Sequence, residues 1–148
     1  MTDGAGLVGF TAGVYDLFHV GHLNLLEASR GRCDYLRVGV ISDELCWVLK
    51  RVRPFVPLEE RMRIVDALSC VDEVVAIREE RLLSKVEAYY EWGFDVAFTG
   101  DDHRGDPYWE REGEVLAGLG ARIEYLPYTK STSSTQLRKA IEDGRLLG

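Results

Sequence analysis

Short apolar runs alternate along the chain with longer stretches in which apolar residues recur every three or four positions. The short runs predict five strands, at residues 7–13, 34–41, 71–77, 94–99 and 120–126. The longer stretches predict helices at residues 21–30, 81–91, 106–119 and 136–142, and two more that start at Ser42 and Pro57. This alternation predicts an α/β fold: a Rossmann-like three-layer sandwich with a five-stranded, mainly parallel sheet, in one domain spanning residues 1–148.

The stretch Gly-Val-Tyr-Asp-Leu-Phe-His-Val-Gly-His, at residues 13–22, joins the first strand to the first helix. A turn of this kind presents free backbone N–H groups and the positive end of a helix dipole, and both suit a phosphate. His19 and His22 can face one ligand from the first helical turn, while Gly13 and Gly21 leave room for close approach. Two structural histidines, or half of a zinc site, are the alternatives.

Three further polar segments follow predicted strands, and the carboxyl ends of parallel strands form the usual ligand crevice. Residues 50–54 carry Lys50, Arg51 and Arg53, which suit either a solvated face or an anchor for anions. Gly100-Asp101-Asp102 suits a capped turn or a carboxylate for Mg²⁺. The Thr-Ser-Ser-Thr run at residues 132–135, close to Lys130, is typical of a helix cap or of a second phosphate cradle.

Bulk composition excludes several classes of protein. The 148 residues include 25 acidic and 18 basic side chains, for a formal net charge of −7, so the general basic footprint of a nucleic-acid-binding protein is missing. No apolar run approaches the ~20 residues of a membrane span, and the first six residues do not resemble a signal peptide. Three cysteines without a pairing pattern indicate reduced thiols, so we expect a cytoplasmic protein without nucleic-acid or membrane partners.

The 13–22 stretch closely resembles the GxFDxxHxGH signature of the nucleotidyltransferase superfamily, with Tyr15 where phenylalanine is usual. From residue 7 to residue 141, the order of motifs resembles the cytidylyltransferase branch, typified by bacterial glycerol-3-phosphate cytidylyltransferases. Two positions of that branch's segment before the last helix differ here, because Tyr128 replaces an arginine and Ser131 a glycine.

The resemblance implies that a phosphate monoester attacks the α-phosphate of CTP and releases pyrophosphate, with a small polyol phosphate such as glycerol 3-phosphate as the acceptor. It also implies Mg²⁺ as cofactor and a homodimer. Two alternatives stay open: an adenylyltransferase that uses ATP with a sugar phosphate or a flavin- or coenzyme A-type acceptor, and a nucleotide-binding module without turnover.

The resemblance also implies a role for each site residue. His19, His22 and Lys50 are the expected catalytic residues, Lys50 and Lys85 bind the acceptor, and Asp102, with Asp16, orients the metal. The expected nucleotide-binding residues are Gly13, Val14, Tyr15, Asp16, Gly21, Arg53, Gly100, Asp102, Thr129, Lys130, Ser133, Ser134 and Thr135.

Overall fold

A computed structural model describes residues 6–127 and 133–144 of the chain. Its strands are β1 (Val8–Gly13), β2 (Tyr35–Ile41), β3 (Glu73–Ile77), β4 (Val96–Gly100) and β5 (Arg122–Leu126). Its α-helices are α1 (Val20–Arg30), α2 (Asp43–Lys50), α3 (Leu58–Asp66), α4 (Lys85–Trp92), α5 (Pro107–Gly118) and α6 (Ser134–Glu142). Two short 3₁₀ turns, Glu80–Leu83 and Asp101–His103, precede α4 and α5.

The five strands form one parallel sheet in the order β3-β2-β1-β4-β5. Along β1, Val8 pairs with Tyr35 of β2 on one side, and Gly9 pairs with Val96 of β4 on the other. The strand order therefore reverses between β1 and β4, and such a switch point opens a crevice at the carboxyl ends of the two strands.

Helices cover both faces of the sheet. On one face, Leu26 of α1 and Val65 of α3 pack in a fully buried cluster with Val38. On the other, Ala88 of α4 and Leu116 of α5 pack around Phe10. These two apolar layers explain why the strands are nearly continuous hydrophobic runs, and they confirm the predicted Rossmann-like architecture. Within the described part of the chain, no helix is long and apolar enough to cross a bilayer.

Two local expectations need correction. The helix expected over residues 81–91 is interrupted at Ser84, whose hydroxyl caps α4 by accepting from the Glu87 N–H. Gly31 follows α1, where a left-handed cap is expected, but its φ of −66° is right-handed because its N–H still bonds to the Glu27 carbonyl at 3.0 Å. Left-handed backbone instead ends α2, at Arg51 with φ 56°.

Candidate active site

A cavity of about 560 Å³ lies at the switch point between β1 and β4. That volume suits a ligand of nucleotide size. One wall is the α1 face made by Gly21, Asn24, Leu25 and Ala28, whose spacing places them on one side of the helix. The remaining lining comes mainly from the strand ends and the start of α6: Ala12, His19, His22, Thr99, Gly100, Asp102, His103, Pro127, Ser133 and Ser134.

The two histidines form a capping box at the start of α1. The Nδ1 atom of His19 accepts a hydrogen bond from the Gly21 N–H at 3.0 Å, and Nδ1 of His22 accepts from the His19 N–H at 3.3 Å. The rings stack with their centroids 4.0 Å apart. Because Nδ1 is the acceptor in both neutral rings, the proton of each resides on Nε2. Each histidine therefore keeps one N–H donor for a ligand in the cavity.

Burial keeps these rings neutral. It lowers the pKa of His22 to about 4, helped by the nearby His19 ring and only partly opposed by the Asp16 carboxylate. Burial also lowers the pKa of His19. At neutral pH both groups therefore act as hydrogen-bond donors without a positive charge, and the cation that a triphosphate needs must come from elsewhere.

The histidine turn, residues 13–22, has an unusual backbone. Tyr15 and Leu17 adopt left-handed φ angles of 58° and 51°, a conformation that costs a non-glycine residue about 1–2 kcal/mol. Gly13 suits the close packing beside them, because a Cβ there would stand 3.0 Å from the Tyr15 ring, which would have to shift slightly. The turn thus has to be held in place by the contacts of its neighbours.

Asp16 supplies one of these contacts. The residue is 3% exposed, and its carboxylate accepts from the N–H groups of Phe55 (2.8 Å) and Val56 (3.0 Å). The same carboxylate forms an ion pair with Arg138 of α6 at 2.8 Å. With both oxygens bonded to protein groups, the Asp16 carboxylate ties three segments of the chain together, and its role at a metal stays a prediction.

Arg61 supplies the second contact, and sequence reasoning missed it. Its side chain is fully buried and donates to the carbonyls of Val14 (2.7 Å), Ile41 (2.8 Å) and Val56 (2.7 Å). It also forms an ion pair with Asp43. Arg61 lies on α3 among positions that read as a solvated charged face, and only the tertiary fold shows that three backbone carbonyls converge on it.

The β4 side of the cavity carries its acidic group. Asp102 lines the cavity, and Gly100 makes room for it, because a Cβ at Gly100 would stand 2.7 Å from Oδ1 of Asp102. In the described part of the chain, no three His, Cys, Asp or Glu side chains cluster as a metal site. One carboxylate together with substrate phosphates is nevertheless a common arrangement for Mg²⁺, so Asp102 fits the predicted role.

Two aromatic rings, those of Trp109 and His103, lie between Lys85 and the cavity. The Lys85 ammonium lies 5.0 Å from the ring centre of Trp109, which stacks at 4.7 Å on His103 in the cavity wall. Its Nζ donates to the Leu83 carbonyl at 3.0 Å, and burial lowers its pKa to about 8. Lys85 itself is therefore not part of the cavity lining.

The start of α6 brings part of the predicted hydroxyl cluster to the cavity. Ser133 and Ser134 line it, whereas Thr135 is exposed and does not. Ser133 caps α6 by accepting from the Gln136 N–H at 3.1 Å, and the Ser134 hydroxyl donates to the Asp16 carbonyl at 2.6 Å. The predicted residues Thr129 and Lys130 lie outside the described residues.

The predicted loop cations are exposed. Lys50 is the last residue of α2, and the basic loop, residues 51–57, follows it. The Arg51 and Arg53 guanidinium groups each lie 5.8 Å from the ring centre of Trp47. Of the described residues that line the cavity, none is a lysine or an arginine.

The predicted site residues divide into three groups, of which one, Thr129 and Lys130, lies outside the described residues. Seven line the cavity: His19, Gly21, His22, Gly100, Asp102, Ser133 and Ser134. Eight are described and lie outside its lining: Gly13, Val14, Tyr15, Asp16, Lys50, Arg53, Lys85 and Thr135. Sequence reasoning missed the α1 wall, although its spacing of three and four residues from Gly21 was a usable signal.

Paired imidazole donors at a helix start, beside a cavity at the switch point of a parallel sheet, agree with the resemblance to nucleotidyltransferases. The chain matches the cytidylyltransferase-like family over residues 10–140 and belongs to it.

A curated relative is the bifunctional protein HldE of Citrifermentans bemidjiense, which is 34% identical over 133 residues. The match covers 89% of this chain but 26% of that protein, so the chain spans about a quarter of its relative's length.

Two solved structures share the fold. The lipopolysaccharide core biosynthesis protein from Thermoplasma volcanium has a TM-score of 0.69 at 21% identity, covering 86% of this chain and 99% of that one. Pantoate-β-alanine ligase from Francisella tularensis has a TM-score of 0.63 at 11% identity, covering 95% and 71%.

Proposed function

We propose that the protein transfers CMP from CTP to a small phosphorylated alcohol, such as glycerol 3-phosphate or a related polyol phosphate, and releases pyrophosphate. The observation that supports nucleotidyl transfer most is the pair of Nε2–H donors that His19 and His22 keep at the cavity, and the match to the cytidylyltransferase-like family supports CTP as the first candidate. The proposed nucleophile is a phosphate oxygen of the acceptor, which is ionised near pH 7 because its second pKa is about 6. It needs no serine or cysteine nucleophile, and the reaction depends on alignment and charge stabilisation.

In this reaction an acceptor oxygen forms a bond to the α-phosphorus, and the bond from that phosphorus to the β-phosphate oxygen breaks. His19 and His22 donate to the α-phosphate, where negative charge builds up in the transition state. Ser133, Ser134 and Thr135, with Thr129 and Lys130, bind the β- and γ-phosphates. Asp102 would hold Mg²⁺, which would neutralise phosphate charge, and Gly100 leaves space for that carboxylate.

The cations complete the proposed site. Lys50 bridges the donor and acceptor phosphates, and Arg53 assists at the triphosphate. Both side chains are exposed, Lys50 at the end of α2 and Arg53 in the basic loop beside Trp47, so in this proposal both have to move towards the substrates. Lys85 binds the acceptor in this proposal, which requires a rearrangement of Trp109 and His103. We further propose a homodimer, which light scattering would test.

ATP is the second candidate nucleotide, with a sugar phosphate or a flavin- or coenzyme A-type acceptor. The specific reason is that the Francisella tularensis ligase, which shares this fold, was crystallised with β-γ ATP. The fold therefore has room for an adenine nucleotide.

A substrate panel tests these proposals together. The protein is incubated with Mg²⁺ and CTP, ATP, GTP or UTP, each with glycerol 3-phosphate, ribitol 5-phosphate, a sugar phosphate, flavin mononucleotide or 4′-phosphopantetheine, and pyrophosphate release is measured. We expect release with CTP and a polyol phosphate. Release only with ATP would replace the first candidate by the second, and tight nucleotide binding without release from any pair would indicate a binding module without turnover.

A further inference from the structure

Helix α6 carries part of the proposed phosphate site but is weakly anchored by apolar contacts. None of its described residues is fully buried, and none belongs to either core cluster. Its apolar residues Leu137, Ala140 and Ile141 are only half-buried, so core packing anchors this helix less firmly than the others, because most helical stability in proteins comes from packing of an apolar face. Polar contacts are therefore the candidates for what places Ser133 and Ser134 at the cavity.

Two of these contacts go to a single residue of the histidine turn. The Ser134 hydroxyl donates to the Asp16 carbonyl at 2.6 Å, and the Arg138 guanidinium donates to Oδ2 of Asp16 at 2.8 Å. The Asp16 side chain is 4% exposed and that of Arg138 is 26% exposed, so the ion pair is partly shielded from solvent. A shielded, charge-assisted hydrogen bond is considerably stronger than an exposed ion pair.

The same carboxylate holds the basic loop. Phe55 and Val56 donate their backbone N–H groups to its two oxygens, and the Arg138 guanidinium also stacks 4.4 Å from the Phe55 ring centre. Arg138 therefore contacts both the acid that fixes the loop and a side chain of the loop itself. One arginine couples the helix that carries the hydroxyl groups to the segment that carries the cations.

We propose that Arg138 is a positioning residue for nucleotidyl transfer, which orients the Asp16 carboxylate and thereby sets both α6 and the basic loop against the histidine turn. The kinetic part of this inference rests on the proposed function. Its structural part, which concerns how α6 and the loop are held, does not require any activity.

The structural part is tested by amide hydrogen exchange in the ligand-free protein. In Arg138→Gln, which loses the charge and the stacking, we expect the Phe55 and Val56 amides to exchange about tenfold faster, as befits loss of one charge-assisted hydrogen bond. Arg138→Lys keeps the charge but not the planar stacking group, so it should restore part of the protection. Lys139→Gln, on the next and exposed residue of α6, is the matched control and should match the wild type.

The kinetic part is tested with the best substrate pair from the panel, at a temperature where all variants remain folded. Misplacing a binding group by about 1 Å can cost about 100-fold, so we expect kcat/KM for the nucleoside triphosphate to fall by about that factor in Arg138→Gln. Most of the loss should be in KM for the nucleotide, because α6 carries the groups proposed for the β- and γ-phosphates. A purely structural role would lower Tm and leave KM unchanged.

The two measurements separate this inference from the proposed function. Unchanged exchange at Phe55 and Val56 in Arg138→Gln would overturn the positioning role, even if the wild type turns over CTP. Unchanged nucleotide KM in the folded variant, or an equal effect of Lys139→Gln, would overturn it as well. If the wild type shows no turnover with any pair, the proposed function fails, and the exchange result alone decides whether Arg138 positions the loop.

Discussion

The histidine turn and the basic loop are held by the same two side chains, yet they present their functional groups in different ways. Arg61 donates to Val14 in the turn and to Val56 in the loop, and Asp16 links the two segments again. In the turn, the backbone fixes both imidazole rings at the cavity. In the loop, the backbone is fixed while Arg53 remains at the exposed Trp47.

The difference shows which part of the proposed catalysis is preorganised. The histidine donors need no further movement, and preorganised donors are usually the largest contribution to transition-state stabilisation. Lys50 and Arg53 do not line the cavity, so in the proposed reaction their side chains have to move before their charge reaches a substrate. A site of this kind keeps neutral donors in place and adds positive charge when the anionic substrate arrives.

The largest expected effect comes from removing the side chain that both segments share. Arg61→Leu leaves Asp43 without its buried partner and three carbonyls without a donor. Breaking a buried pair in this way should lower the free energy of unfolding by about 3–5 kcal/mol. Urea titration measures this change.

The matched control for Arg61 is Arg63→Leu, an exposed position on the same helix. Equal and small losses of stability in the two variants would contradict the conclusion that Arg61 holds the histidine turn and the basic loop together.

The next effect concerns the preorganised half of the site. His22→Ala should lower kcat by about 100- to 1,000-fold, as for the loss of one transition-state donor. His22→Gln keeps an acceptor at the third position of α1, where glutamine supports a capping box, and its amide keeps N–H donors, so it should retain the fold and lose less turnover than His22→Ala. Pyrophosphate release and circular dichroism together measure both quantities. Near-normal turnover in folded His22→Ala would contradict a catalytic role for His22.

A pH dependence of stability follows from the same histidine. The unfolded chain binds a proton at His22 as the pH falls through 6.5, whereas the folded protein binds it only near pH 4. Protonation therefore favours the unfolded state, so this contribution should make the protein less stable as the pH falls from about 6.5 to about 4. Unfolding measured across this range should show a shallower decline in His22→Gln, and an identical decline would contradict the neutral, buried state.

The smallest effect concerns the residue that replaces phenylalanine in the signature. Burial raises the pKa of Tyr15 well above its usual range, an effect that the Thr11 side chain offsets only in part. Among the described residues, the Tyr15 hydroxyl has no hydrogen bond of normal geometry. Tyr15→Phe should therefore stabilise the protein by about 1 kcal/mol, measured as a rise in Tm.

Tyr35→Phe is the control for Tyr15, because the Tyr35 hydroxyl donates to Glu73 at 2.9 Å and its loss should not stabilise the protein. A loss of stability in Tyr15→Phe would contradict this prediction, because it would mean that the Tyr15 hydroxyl makes a stabilising hydrogen bond in the folded protein.

Local sequence signals predicted the helices and strands well, because the residues within and next to each element largely determine where it forms. Alternating apolar runs identified all five strands, and Ser42 before Asp43 identified the start of α2 through its side-chain cap. The break at Ser84 was missed, since a serine inside a helical pattern is ambiguous until its hydroxyl is seen to cap α4.

Lining residues of the cavity were predicted where a strand end or a helix start supplies them, and the contacts that hold those segments together were missed. His19 and His22 come from consecutive positions of a single motif, so their proximity follows from helix geometry. Arg61 and Arg138 contact residues that are far away in sequence, and arginine is normally exposed. No pattern in the neighbouring sequence therefore predicts the polar contacts that these two side chains make. The Arg53 guanidinium lies over the Trp47 ring, and no spacing rule predicts that contact.

The sheet order also fixes when the site can form during synthesis. The three strands β1, β2 and β3 lie within the first 77 residues and are neighbours in the sheet. The other side of β1 has to wait for β4, since Val8 donates to Asp95 and Thr11 to the Phe98 carbonyl, each 87 positions later in the chain. During synthesis, β1, β2, β3 and the histidine turn are therefore made first. The cavity can form only after β4, α6 and the segments next to them, which supply the rest of its lining, have been synthesised.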